Sequence, residues 1–404
     1  MTVYLKRIDI FILIISLLIF SYNIHFFIVN GVLADLAIYE RAAVAYLQNK
    51  NAYRPEVAQN LFVYNPVILH LFAYLERLFG FTHCIAAIYS FTLIWFGVEI
   101  YLCFHKLPIK NESIKKATIL NFCLIQISAL AFGGIGFLSF TTGNITLYTH
   151  FLLIACLLGF YRTDCMRYKI IFCILLLFFS IIKPYFLAYL AIIFLIFNNK
   201  SQIILALTFI IGAFGATWLS SMYFYAPEYQ EFINALHQQI LVFNDIGFSI
   251  FAVAINAHLS ETVSIIIHII FSIIMLYAFA FYLPRFFSIK TDLYARTFLL
   301  YFCLCIINPR MKEYDLYPAI ICIFMFFHQI TLKNKPIMLL GIIVSIIPEL
   351  LAVISEDFVI KLPAIFTKAH PWQLLGLVIM FGVFAIYIMQ DKNKDSLIKS
   401  CTRY

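Results

Sequence analysis

The 404-residue chain is 64% hydrophobic and only 12% charged, with a mean hydropathy of +0.95, against roughly 25% charged residues in an ordinary soluble domain. No water-soluble fold can hide that much apolar surface, and continuous apolar stretches argue against a membrane barrel, whose segments are short and alternating. The net charge of +8 falls mainly in short loops between apolar runs, so it reports orientation in a membrane and not nucleic-acid binding.

Lys6 and Arg7 precede the first apolar run, 10–29, which lacks a small-residue cleavage site and is expected to stay as a first helix. This run, like those at 203–223 and 263–283, is about the 20 residues a helix needs to cross the hydrocarbon core. Helix is the expected form throughout, because backbone polar groups in lipid must be satisfied within the segment.

The first outer loop, 30–62, begins with Ala34-Asp35-Leu36-Ala37-Ile38-Tyr39-Glu40-Arg41. Leu36, Tyr39, Ala43, Tyr46 and Leu47 fall near one helical face, which predicts an amphipathic helix along the membrane surface. Asp35 stands where that helix starts. It serves either as a helix N-cap or as a carboxylate at the water–lipid boundary, placed to take a proton from a hydroxyl; the local sequence allows both. Glu40 and Arg41 are adjacent and do not face one another on a helix, so they read as a solvated face.

Asn51-Ala52-Tyr53-Arg54-Pro55 follows, then Phe62-Val63-Tyr64-Asn65-Pro66 at the entry to the run 63–79. That run is expected to be re-entrant or partial, because the loop after the next span, 83–104, is basic and belongs inside. The runs 117–135 and 144–160 form a hairpin with its outer tip at 133–144. The stretch 170–197 is 28 residues long and reads as two short helices split at Lys183-Pro184, or as one tilted, kinked helix with a snorkelling lysine, since proline lacks a backbone donor and disfavours helix in the residue before it. The run 203–224 goes out, a second outer segment occupies 225–261, and 262–283 returns. The pairs 293–307/314–331 and 336–353/372–390 have outer tips at 308–313 and 355–371.

The sum is an all-α polytopic integral membrane protein of about twelve spans, one membrane-embedded domain over 1–404, with both termini cytoplasmic. The cysteines lack zinc or disulfide spacing, and His237, His258 and His268 lack metal-ligand spacing, so no metal site is expected.

The order of these pieces resembles the membrane-embedded GT-C glycosyltransferases, especially the polyprenyl-phosphate-mannose-dependent glycosyltransferase family 87. Gly143-Asn144-Ile145-Thr146 resembles the family's Gly-Gln-x-Asn element at an outer helix start, with Asn144 in place of the usual Gln. Ile182-Lys183-Pro184-Tyr185 resembles its Lys-Pro helix break. Asn308-Pro309-Arg310-Met311-Lys312-Glu313-Tyr314 falls where the family has a Pro-containing outer turn, often followed by His, which is absent here.

The resemblance implies a GT-C-like fold and transfer of a sugar, mannose or another hexose, from a polyprenyl-phosphate donor to an acceptor hydroxyl at the outer membrane face, with inversion at the anomeric carbon. Asp35 then takes the place of the catalytic base. Lys183, Arg310 and Lys312 are the candidates to stabilise the lipid phosphate, although Lys183 equally suits snorkelling and Arg310 and Lys312 equally suit headgroup contact. Tyr39, Tyr64, Asn144 and Tyr314 are the candidate substrate-binding residues. No cofactor is expected beyond the lipid-linked sugar as co-substrate. The acceptor is a glycolipid, polysaccharide or protein, and the expected location is a bacterial inner (plasma) membrane with the active site on the periplasmic face. A transporter or flippase of lipid-linked sugars is the alternative; it would ordinarily carry an internal repeat and midplane charges. No clear repeat is visible, and Glu99 and Glu349 are the acidic residues most nearly inside apolar runs.

Overall fold

The computed structural model describes residues 33–58, 60–105, 135–241, 247, 249–277 and 292–327. All regular structure among the described residues is helical, as composition requires. Three of these helices are long and apolar enough to cross a membrane: Phe81–Cys103, Ile145–Thr163 and Lys200–Phe224. The expected spans at 10–29, 117–135, 336–353 and 372–390, with the ends of 262–283 and 314–331, lie outside the described residues, as do both termini. Residue contacts divide the chain into two compact units. The first comprises residues 26–108 and 139–246, and the second comprises 1–25, 109–138 and 247–404.

In the first unit, α1 (Ala34–Leu47) is alanine-rich, and alanine is the strongest helix former. It ends as Asn49 turns into the left-handed region at φ 56. The predicted face is only partly right. Leu36, Tyr39 and Ala43 are buried, but so are Ile38, Ala42 and Ala45, while Leu47 is exposed. The helix packs mainly on α3 and is walled by protein on more than one side, so its apolar residues do not form a single lipid-facing stripe. After the single turn α2 (Pro55–Ala58), α3 (Pro66–Phe79) starts with Pro66 at its first position and Asn65 as cap, the Asn65 side chain accepting from Val67 N at 3.0 Å. Its 14 residues reach about 21 Å, short of a hydrocarbon core of about 30 Å. Gly80 ends it at φ +73, and the Glu76 carboxylate accepts from Phe81 N at 2.6 Å, joining the end of α3 to the start of α4 (Phe81–His105).

The short helix α5 (Ile135–Thr142) leads to the Gly143-Asn144 turn and to α6 (Ile145–Thr163). Asp164, left-handed at φ 51, closes α6. The next helix, α7 (Met166–Ile182), stops at Lys183, whose extended backbone (φ −137, ψ 104) is what a following proline favours. The chain continues as a 3-10 helix over Pro184–Ile192 and the short α8 (Ile193–Ile196). The expected break in 170–197 is therefore present, although most of its second half is 3-10 and not α. α9 (Lys200–Phe224) exposes Ile204, Leu205, Phe209, Ile211 and Leu219 along its length, a surface suited to lipid. Within the predicted outer segment 225–261 lies α10 (Ala226–Leu241).

Glu99 of α4 is 3% exposed and is held by Arg162 of α6, whose Nε and Nη2 donate to its two oxygens at 2.9–3.0 Å. The Tyr168 hydroxyl adds a third donor at 2.7 Å. Gly159 makes the room: a Cβ there would lie 2.2 Å from the Tyr168 ring. The one acidic residue the sequence placed inside this run thus ties three helices together.

In the second unit, α11 (Ile250–Asn256) is capped by Ser249, whose hydroxyl also donates to Pro309 O. α12 (Glu261–Tyr277) carries His268, whose Nε2 donates to Ile307 O at 3.2 Å. α13 (Asp292–Ile306) and α14 (Glu313–Phe327) form a closely packed pair. Gly247, at φ +75, lies where a Cβ would come within 2.5 Å of Met311 O, bringing residue 247 against the turn that joins that pair.

Candidate functional site

The first unit brings together five of the eight residues singled out from the sequence: Asp35, Tyr39, Tyr64, Asn144 and Lys183. Asp35 is the second residue of α1, and Leu33 occupies the cap position without a side-chain bond. Asp35 is therefore not the N-cap of α1. Its Oδ2 accepts instead from Asn144 Nδ2 at 2.6 Å, 109 residues away in sequence. Asn144 does cap a helix, its Oδ1 accepting from Thr146 N at 2.9 Å. The same oxygen accepts from Lys183 Nζ at 3.3 Å. One amide thus bonds the carboxylate at one end and the ammonium at the other.

Each anchor has a local cause. The Lys183-Pro184 pair ends α7: Lys183 N still donates to Phe179 O at 2.8 Å, but its extended backbone takes the chain out of the helix and puts the lysine at the break. Gly143 holds φ +62, and a Cβ on it would come within 2.9 Å of the Leu33 Cβ and Cδ2. The turn carrying Asn144 can approach the start of α1 only because residue 143 lacks a side chain. The Tyr89 hydroxyl donates to Gly143 O at 2.9 Å and its ring stacks on Tyr148 with centroids 3.4 Å apart. Gly143→Ala is expected to cost at least about 1 kcal/mol of stability, as for alanine forced to positive φ. Thermal unfolding in detergent checks it.

Tyr39 and Tyr64 share a hydrogen bond of 2.8 Å and meet edge to face at 5.2 Å. They are 2% and 5% exposed, so their rings are packed inside protein. The Lys183 ammonium lies 6.0 Å from the Tyr64 ring centroid, at the outer limit of a cation–π contact. Burial, then the neighbouring Tyr64, then the Asp35 charge and Tyr89 raise the Tyr39 hydroxyl well above its usual range. Tyr39 therefore stays neutral, and between these two groups the carboxylate is the one suited to accept a proton.

No protein-family model matches the chain, and neither a curated protein nor a solved structure matches it. What the site can do rests on its own geometry.

Arg310, Lys312 and Tyr314 lie in the second unit, around the turn between α13 and α14. Asn308 Oδ1 accepts from Arg310 N at 3.1 Å, and the buried Asp315 carboxylate accepts from Lys312 N at 3.0 Å, shaping that turn.

Two residues that the sequence did not assign to the site support it. Tyr53, noted in the Tyr-Arg-Pro stretch, donates its hydroxyl to Tyr64 O at 3.0 Å. Tyr89 lies inside a continuous apolar run, where no local signal sets it apart from its aromatic neighbours.

Proposed function

We propose that the protein is a membrane-embedded glycosyltransferase that moves a sugar from a polyprenyl-phosphate donor to an acceptor hydroxyl, with inversion. The observation that carries this reading is the Asp35–Asn144–Lys183 bridge, which couples a proton acceptor to a cation within one site. In the reaction the acceptor oxygen attacks the anomeric carbon while the bond from that carbon to the phosphate oxygen breaks. The acceptor proton passes to the Asp35 carboxylate, and the negative charge that develops on the leaving phosphate is offset by the Lys183 ammonium. A lipid monophosphate suits a single ammonium, since the departing group carries less total negative charge than a diphosphate. The order of motifs, with its likeness to the GT-C enzymes of family 87, supports the same chemistry.

In this reading the chain crosses a bacterial inner membrane about twelve times, with both termini cytoplasmic and the site on the periplasmic face. The acceptor is a glycolipid, polysaccharide or protein.

The test is to incubate membranes containing the protein with a panel of radiolabelled polyprenyl-phosphate sugars. A labelled glycosylated product is expected; a donor that changes leaflet without losing its sugar identifies a flippase instead. Lys183→Ala should weaken donor binding by about tenfold or more, in keeping with loss of a charge-assisted contact of roughly 1.5–3 kcal/mol. Titration with a non-transferable donor analogue checks it, and unchanged affinity would count against phosphate contact.

A further inference from the structure

Asn144 entered as a candidate to touch substrate, but its bonds give it another task. It is 4% exposed, and its amide reaches three partners from two other segments and its own helix. The Thr146 N–H and the Lys183 ammonium are donors only, so both require the carbonyl end of the amide. That demand turns Nδ2 toward Asp35 and fixes which end faces the carboxylate. We propose that Asn144 is a positioning residue, which aims the Asp35 carboxylate and couples it to Lys183 through a single amide. The inference deepens the transferase reading and rests on it for its kinetic arm only.

A backbone-anchored amide is suited to this. Because Oδ1 also caps α6, the side chain cannot rotate without leaving a helix N–H unsatisfied. An N–H bonded to a carboxylate favours the charged form, which is the form that can receive a proton. Among the described residues, Tyr39 and Tyr89 interact electrostatically with Asp35, Tyr64 is bonded to Tyr39, and Lys183 is bonded to the far end of the Asn144 amide.

Two substitutions separate this role from capping, since serine and aspartate are both preferred N-caps. Asn144→Ser keeps the cap but is too short to reach Asp35. In the purified full-length protein, the infrared carboxyl band that disappears in Asp35→Asn reports protonation of Asp35 without any turnover. In Asn144→Ser that band should titrate at higher pH than in wild type. Asn144→Asp keeps an acceptor for Lys183 but sets a second carboxylate against Asp35. Its kcat should fall about 100-fold, the size typical for loss of one preorganised donor, with donor KM within about twofold of wild type.

An Asp35 titration unmoved by Asn144→Ser, or wild-type kcat in Asn144→Asp, overturns the positioning role. A wild-type protein that turns over no donor ends the transferase reading instead, and the titration still decides whether Asn144 controls Asp35.

Discussion

Asp35→Asn is expected to lower sugar transfer by about 10²–10⁴-fold, the range for removal of a general base, while leaving the fold intact. Asparagine has the shape of aspartate and still offers a carbonyl oxygen to the Asn144 Nδ2 that now bonds Asp35 at 2.6 Å. What it lacks is the capacity to take a proton. Because α1 begins at Ala34 without a side-chain cap, the substitution removes no capping bond. Steady-state kinetics on purified protein should show the loss in kcat, with donor KM little changed and the unfolding temperature near that of wild type. Near-normal turnover in the variant would eliminate Asp35 as the base.

Arg162→Ala carries the largest expected effect on stability. The Glu99 carboxylate is nearly sealed from solvent and receives the arginine through both of its oxygens. Removing the cation leaves a buried charge that the Tyr168 hydroxyl still bonds at 2.7 Å. Breaking a buried pair in this way costs about 3–5 kcal/mol, and the cost is largely that of stranding the carboxylate. The double variant Glu99→Gln, Arg162→Met should therefore be more stable than Arg162→Ala alone, a non-additivity expected of residues in direct contact. Thermal unfolding of the single and double variants in detergent checks both statements. Additive losses would show that the pair is not coupled.

Much of the frame was legible because it follows from strong local physics. The composition dictated helices, proline at residue 184 dictated a break after Ile182, and Asn65-Pro66 dictated a helix start. The candidate site was half legible. Asp35, Asn144 and Lys183 stood out as polar groups at the ends of apolar runs, yet nothing in the sequence told which would touch. Their meeting depends on Gly143 accepting a backbone conformation and a closeness to Leu33 that no side chain permits. The sequence also misjudged α1. Its apolar positions fit one helical stripe, but alanines at 42 and 45 bury further faces, because small side chains let neighbouring segments pack close. Tyr89 was hidden for the opposite reason, being one aromatic among many in an apolar run, and only tertiary contact reveals its bond to Gly143. Glu99 was read as an acidic group nearly inside an apolar run, and its pairing with Arg162 was invisible across 63 residues of sequence.

The most direct test of the account is the fate of the donor in proteoliposomes holding the purified protein, a labelled polyprenyl-phosphate sugar and an acceptor extract. Free polyprenyl phosphate and a labelled glycosylated product should appear in equal amounts, and both should vanish in Asp35→Asn. Intact donor recovered on the opposite leaflet, moved as efficiently by Asp35→Asn as by wild type, would contradict it.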